Sequence, residues 1–281
     1  MPLNHGAVGQ EWPGTRTWTS TDALLYALGV GAGADAPLAE LPFTTENSHG
    51  VDQQVLPTFA VTLAGGVPVA ELGDIDLSRM LHAEQSITLH GPLPVAGTVH
   101  TTSRVTGFHD KGSGALISTE SSSVDAETGQ LLVEARGGIF VRGEGGFGGT
   151  RGSREAWALP ARPADQVVVC RTREDQALLY RLSGDRNPLH SDPWLAARAG
   201  FDRPILHGLC TYGFTGRALL HAVCGSDPAS FGSFSARFAA PVLPGQELSV
   251  HIWDEGDTCL FQTRVGDTVV LDRGTFTRKS V

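Results

Sequence analysis

A strand pattern that occurs twice constrains this chain more than any other feature. Pro92-Leu93-Pro94-Val95-Ala96-Gly97 leads into a β-rich run over 98–106. A turn at 110–114, a run over 115–124, a turn at 125–129 and a run over 130–141 follow, the last holding Gly138-Ile139-Phe140-Val141. Pro241-Val242-Leu243-Pro244-Gly245 opens the same order again, with runs over 247–253, 258–265 and 268–277 and turns at 254–257 and Gly266-Asp267. The last of these runs holds Gly274-Thr275-Phe276-Thr277. Alternating runs split by Gly/Asp turns form antiparallel meanders, because such turns reverse the chain while the branched residues line a pleated face. The recurrence points to internal duplication.

At 281 residues the chain has material for two units of roughly 140 residues, although one large all-β domain is compatible with the length. Gly143-Glu144-Gly145-Gly146-Phe147-Gly148-Gly149, followed by Pro160 and Pro163, breaks the chain near its middle and sets expected units at 1–150 and 151–281. It does not read as a phosphate loop, since no Gly-Lys-Ser/Thr follows. Each half offers a helix ahead of its meander. Ser20 or Thr21 can cap a helix over 22–28 with Leu24, Leu25 and Leu28 on its apolar face and Gly29 as its stop. In the second half Leu209, Tyr212, Leu219, Leu220 and Val223 recur at helical spacing, and Gly213 and Gly216 would let that helix approach a sheet closely. A helix laid on an antiparallel sheet, twice, is an α+β layout.

A formal charge of −9, with Lys111 and Lys279 the only lysines, argues against a nucleic-acid partner, which needs clustered cations. No stretch approaches the roughly 18 apolar residues of a membrane span. No export signal or peroxisomal address is legible at either end, so a cytoplasmic protein is expected. The cysteines, Cys170, Cys210, Cys224 and Cys259, lack C-x-x-C spacing and are expected to be reduced packing residues. With no metal-ligand spacing and no dinucleotide fingerprint, no metal or organic cofactor is expected.

The densest polar signal is Tyr180-Arg181-Leu182-Ser183-Gly184-Asp185-Arg186-Asn187-Pro188-Leu189-His190, directly ahead of a short helix started by Ser191-Asp192-Pro193 and stopped by Gly200. Pro188 forces Asn187 out of helical geometry, so Asp185 and His190 share one constrained loop and can turn toward a common point. A carboxylate and an imidazole facing one point suit proton transfer to and from a water and a carbon. The pairing alone equally allows an Asx-type turn in which Asp185, Asn187 and His190 only satisfy loop backbone. Downstream, a helix beginning near His207-Gly208 would aim unpaired N–H groups outward, and Gly208 leaves room there for a carbonyl oxygen.

The 180–190 stretch, with Ile205-Leu206-His207-Gly208-Leu209 after it, resembles the signature of MaoC-like R-specific enoyl-CoA hydratases. The likeness extends to the double-hotdog hydratase unit of the peroxisomal type 2 multifunctional enzyme through Tyr26-Ala27-Leu28-Gly29-Val30-Gly31-Ala32, Val55-Leu56-Pro57-Thr58-Phe59, Leu81-His82-Ala83-Glu84-Gln85 and Asp110-Lys111-Gly112-Ser113-Gly114. It implies two hotdogs, each a long helix wrapped by an antiparallel sheet. It further implies hydration of trans-2-enoyl-CoA to the (3R)-3-hydroxyacyl thioester, catalysed by Asp185, His190 and the Gly208 N–H. Substrate contacts fall on His82, Lys111, Asn187, Arg237 and Phe238, with Tyr180 in the motif and Glu46 nearest to the glutamate that relatives carry upstream of Val-Leu-Pro-Thr-Phe. The N-terminal half lacks an Asp-x-Asn-Pro-Leu-His counterpart and is expected to be a silent copy shaping the acyl tunnel. Ala83 stands where relatives have glycine. A homodimer with an acyl-CoA thioester as its only ligand is the expected assembly. An acyl-CoA thioesterase and a non-catalytic acyl-thioester-binding protein are the alternatives, because one fold hosts several chemistries.

Overall fold

The structure, a computed structural model, describes residues 3–152 and 156–279. Among the described residues ten strands carry the fold: β1 (Glu11–Trp18), β2 (Met80–Leu89), β3 (Gly97–Asp110), β4 (Gly114–Asp125), β5 (Leu131–Arg142), β6 (Gln166–Arg171), β7 (Phe231–Phe238), β8 (Glu247–Glu255), β9 (Thr258–Val265) and β10 (Thr268–Arg278). They form one sheet in the order β1-β3-β4-β5-β2-β7-β10-β9-β8-β6, antiparallel throughout. Read outward from the middle, the two sides have the same order, β2-β5-β4-β3-β1 and β7-β10-β9-β8-β6. The predicted meanders are β3–β5 and β8–β10. The strands that flank them, β1, β2, β6 and β7, carry no turn signature and were not foreseen. Strands β2 and β7 join the two sides, with Ser86 opposite Ser235.

Seven α-helices among the described residues accompany the sheet: α1 (Ser20–Gly29), α2 (Leu41–Thr44), α3 (Ala60–Leu63), α4 (Val69–Leu72), α5 (Gln176–Tyr180), α6 (Pro193–Arg198) and α7 (Gly208–Val223). Helix α7 is buried on almost every side, as its run of Cys210, Tyr212, Phe214, Leu219 and Leu220 requires. Toward the sheet, Tyr212 Oη donates to Phe234 O at 2.6 Å and Thr215 meets Thr263 at 2.8 Å. Gly216 lies against Thr58 and Phe234, whereas Gly213 faces Val30 and Tyr26 of the first half. The close approach expected of these two glycines is therefore made to the other half as well as to the sheet.

Helix α1 departs from its sequence reading. Its cap is Thr19, whose Oγ1 accepts from Asp22 N while Asp22 Oδ2 accepts from Thr19 N, one residue ahead of the expected Ser20 or Thr21. Its buried side is Ala23, Tyr26, Ala27 and Val30, and Leu28 is left 41% exposed. The buried side is set by its partners: Tyr26 lies 5.5 Å from Phe59 and 6.0 Å from Tyr180, ring to ring, and Gly29 packs against Tyr180.

The duplication is also unequal. In the first half the segment ahead of β2 that packs against α7 is a single turn, Pro57–Phe59, continued by the four-residue α3. No long helix equivalent to α7 forms there, contrary to the expectation of a long helix in each unit. Instead the loop after α1 is fastened to α7. Glu40 accepts from Arg217 Nε at 2.9 Å, His221 Nε2 at 2.7 Å and Gly33 N at 2.8 Å. Burial alone would raise the Glu40 pKa, but the His221 hydrogen bond, the Arg217 charge and the Gly33 N–H outweigh it and bring the carboxyl down to about 2.

The glycine-rich segment after β5 wraps a carboxylate rather than a phosphate. Asp110 accepts from Gly112 N, Gly146 N and Gly148 N at 2.8–2.9 Å, and Gly146 and Gly148 take the positive φ values, 83° and 79°, that this wrapping needs. All four cysteines are buried and free. Among the described residues no helix is long and apolar enough to cross a membrane.

Candidate active site

The loop after α5 is built from its own side chains. Asp185 Oδ1 accepts from Asn187 N at 3.1 Å, and Asn187 Oδ1 accepts from Leu189 N at 3.0 Å. Pro188 then opens a tight turn, Pro188–His190. The Asx-turn reading of this loop is thus correct as far as it goes, but it uses only one oxygen of Asp185 and leaves the imidazole of His190 unspent. His190 Nδ1 lies 2.9 Å from Ile205 O. A carbonyl can only accept, so Nδ1 carries the proton and Nε2 presents a bare lone pair. The residue is 9% exposed, and burial holds its pKa below the ordinary 6.5 despite the Ile205 bond and the nearby Asp185. The neutral ring is the form that can accept a proton.

A cavity of about 480 Å³ opens beside this loop. Asp185, Asn187 and His190 line one wall, and Gly208, the first residue of α7, lines another. The Gly208 N–H finds no acceptor among the described residues, as expected for a first-turn amide. A Cβ there would come within 3.0 Å of the Phe238 ring, so glycine keeps the approach to that amide open. Across the sheet seam stand His82, Arg237 and Phe238. The register of β2 on β5 slips between His82 and Glu84, so Ala83 has no partner in that pairing and lines the cavity with His82. His82 Nε2 donates to Glu84 O at 3.1 Å, and its ring centroid is 4.7 Å from that of Phe238. Arg237 is steadied by Asp272 at 3.4 Å.

A second cavity, about 440 Å³, lies on the other side of the loop. Trp18, Leu25, Phe59, Val61 and Leu63 of the first half line it, and Asp185 and Leu209 border both cavities. This is the space beside the shortened α3.

Seven of the ten residues singled out from sequence therefore share the first cavity. Tyr180 lines the second, 2% exposed, and its hydroxyl pKa is raised well above normal by burial. Lys111 lines neither. It sits exposed on the β3–β4 turn and donates to Arg151 O, although the neighbouring bond from Gly143 N to Ser113 O sets this turn beside Arg142. Glu46 is exposed beyond α2 and lines neither cavity.

Two residues went unassigned in the sequence. Arg142, at the end of β5, lines the first cavity, and a strand-end arginine carries no signal of that. His207 is buried and its ring stacks on His190 with centroids 3.8 Å apart. Its position directly before Gly208, without a capping role, was the available clue. Asp185, His190 and His207 each offer a donor atom within 4.8 Å of the others, close enough to meet one cation. Each ring commits one nitrogen to a main-chain carbonyl, Ile205 O or Asp185 O, and keeps the other bare.

Residues 156–273 match the family model described as MaoC like domain, and residues 17–143 match the MFE-2 hydratase 2 N-terminal domain. The chain is 48% identical over 285 residues to 3-hydroxyacyl-thioester dehydratase Y of Mycobacterium tuberculosis, covering 97% of this chain and 96% of that protein. The chain belongs to the MaoC-like dehydratases. Its MaoC-like part holds the Asp185 loop and α7, and its hydratase 2 N-terminal part holds α1, α3 and the His82 strand. Over 273 residues it is 41% identical to the peroxisomal multifunctional enzyme type 2 of Mus musculus, covering 94% of this chain and 36% of that one. The solved MaoC-like dehydratase from Phytophthora capsici superposes with a TM-score of 0.88 at 32% identity, covering 99% of this chain and 98% of that one. The fold of this MaoC-like dehydratase is a double hotdog, as the resemblance implied.

Proposed function

We propose that this protein is a hydro-lyase that adds water reversibly to trans-2-enoyl-CoA, giving the (3R)-3-hydroxyacyl-CoA. One observation carries the reading: Asp185, His190 and Gly208 line a single cavity, His190 with a bare Nε2, Asp185 with one oxygen outside the loop's hydrogen bonds and Gly208 with an N–H unpaired among the described residues. The thioester carbonyl accepts from Gly208 N–H, which lies at the positive end of α7 and stabilises negative charge on that oxygen as an enolate forms. The Asp185–His190 pair holds one water against C3. As its oxygen bonds to C3, the pair takes up one proton and returns one to C2, so the two parts of water end on adjacent carbons. Positioned proton transfer of this kind supplies roughly 10²–10⁴-fold.

The two cavities divide the substrate. The coenzyme A portion lies toward Arg237, Arg142, His82 and Lys111, with Asn187 and Phe238 flanking the thioester. The acyl chain enters the apolar space lined by Trp18, Phe59 and Leu63, where Tyr180 closes the wall. In this reading residues 1–150 form a silent hotdog that houses the chain, and 151–281 form the catalytic one. Glu46 has no contact to support a substrate role. A homodimer in the cytoplasm, acting in acyl-CoA metabolism, belongs to the same reading. Sedimentation and fractionation test it.

The relatives are named as dehydratase and hydratase, which favours hydration over thioester hydrolysis. The deciding experiment is hydration of crotonyl-CoA and longer trans-2-enoyl-CoAs with chiral analysis of the product. Release of free coenzyme A instead of a hydroxyacyl thioester would replace the reading with a thioesterase, and a 3S product would refute the assigned face.

A further inference from the structure

His207 is a buried histidine that the proposed mechanism leaves without a task. Its Nε2 lies 3.2 Å from the main-chain carbonyl of Asp185. The carbonyl can only accept, so Nε2 carries the proton and Nδ1 does not. That Nδ1 is buried with no hydrogen-bond partner among the described residues. Protonating it would leave a buried charge and an unpaired N–H together, and a buried unsatisfied polar group is expensive.

The surroundings agree. His190 stacks on one side at 3.8 Å and the Tyr180 ring stands 5.0 Å away. The charged or titratable groups facing His207 are Asp185, which favours the imidazolium, and His190 and Arg181, which oppose it. Burial, followed by the proximity of His190, brings its pKa down to about 4.

We propose that His207 is a positioning residue: its Nε2–H holds the Asp185 main chain in place while its ring backs the His190 imidazole. Two segments 22 residues apart are thereby fixed to one another, the catalytic loop and the residue that starts α7. Gly208 is the next residue. A single side chain thus sets the relation between the acid–base pair and the amide proposed to receive the thioester oxygen. The inference rests on the hydratase reading of the site.

The test compares three variants. His207→Phe keeps a flat ring against His190 but cannot donate to Asp185 O. His207→Gln places an N–H near the position of Nε2 without the aromatic ring. His207→Asn is polar but too short to reach. With wild-type hydration of crotonyl-CoA established first, His207→Phe and His207→Asn should lose about 100-fold in kcat with KM little changed, since a misplacement of about 1 Å costs that much. His207→Gln should stay within about threefold of the parent, the donor being the element that matters.

Amide hydrogen exchange at Asn187 and Leu189 gives a readout independent of activity. Exchange should accelerate in the Phe and Asn variants and not in Gln. A folded Phe or Asn variant with parental kcat overturns the proposal, and so does a folded Gln variant that falls as far as Phe. A wild-type protein that hydrates nothing refutes the functional reading instead, leaving the exchange comparison to judge the role of His207 in the loop.

Discussion

Glu40→Gln is the sharpest test of how the two halves are held. Glu40 is 8% exposed, and its carboxylate lies within 2.9 Å of both Arg217 on α7 and His221 one turn on. The glutamine fills the same volume and loses only the charge. The carboxyl falls from its ordinary 4.5 to about 2 in the folded protein. At about 1.4 kcal/mol for each pH unit, that difference is on the order of 3 kcal/mol of stability. Because the folded-state pKa is the lower one, the unfolded chain binds more protons between about 2 and 4.5. The stabilisation is therefore complete above 4.5 and disappears as pH falls toward 2. Leaving the nearly buried Arg217 unopposed adds to the loss at neutral pH. Urea unfolding followed by circular dichroism should show the variant less stable by about 3 kcal/mol at pH 7, with a gap that narrows steadily below pH 4.5. A gap under about 1 kcal/mol at neutral pH, or one of constant size down to pH 3, would refute the assignment of the charge as the stabilising element.

Asp185→Asn and His190→Ala should each lower kcat by at least about 10²-fold without unfolding the protein, and the double variant should lose far less than the product of the two. Parental kcat in either folded single variant would remove that residue from the pair. The pH profile of kcat/KM should keep its plateau down to about 6.5, because burial depresses the His190 pKa and the base is lost only as pH falls through that lowered value. An acid limb centred above 6.5 would contradict the buried, neutral ring. Gly208→Val should lower hydration by about 10²-fold, since even the first carbon of a side chain comes within 3.0 Å of the Phe238 ring and crowds the amide meant for the thioester oxygen. A steady-state assay of the folded variant checks it. Lys111→Ala should raise KM for coenzyme A thioesters with kcat little changed, and Arg142→Ala should do so more strongly, because Arg142 lines the cavity and Lys111 stands outside it. Equal, unaltered KM values would remove this rim from coenzyme A binding.

The two meanders were legible because Gly and Asp mark their turns at regular spacing, and the Asp185 loop because Pro188 and the Asx residues fix it locally. The start of α7 at Gly208 followed from the same kind of local signal. What could not be read depends on contacts between distant segments. β1, β2, β6 and β7 are strands by virtue of their neighbours. The buried side of α1 is set by Phe59 and Tyr180, which are distant in sequence, and the leucine pattern alone pointed the wrong way. His207 reveals its environment only once α7 is laid against the 185–190 loop, 22 residues earlier in sequence for the Asp185 bond. Glu46 was placed from a motif offset, and nothing local to the 41–50 segment could show that it would face solvent.

The seam between β2 and β7 bears on how turnover can be gated. Five residue pairs, Glu84 with Arg237 through Thr88 with Ser233, lie across it in ordinary antiparallel register. A hinge between the halves would have to break this ladder, and His82 and Arg237, which line the first cavity from either side of it, would separate with it. Clamshell opening, common where an active site lies between two lobes, is therefore closed to this molecule. While that ladder is intact the first cavity keeps its width at the seam, so whatever binds between His82 and Arg237 meets a standing space and not a closing lid.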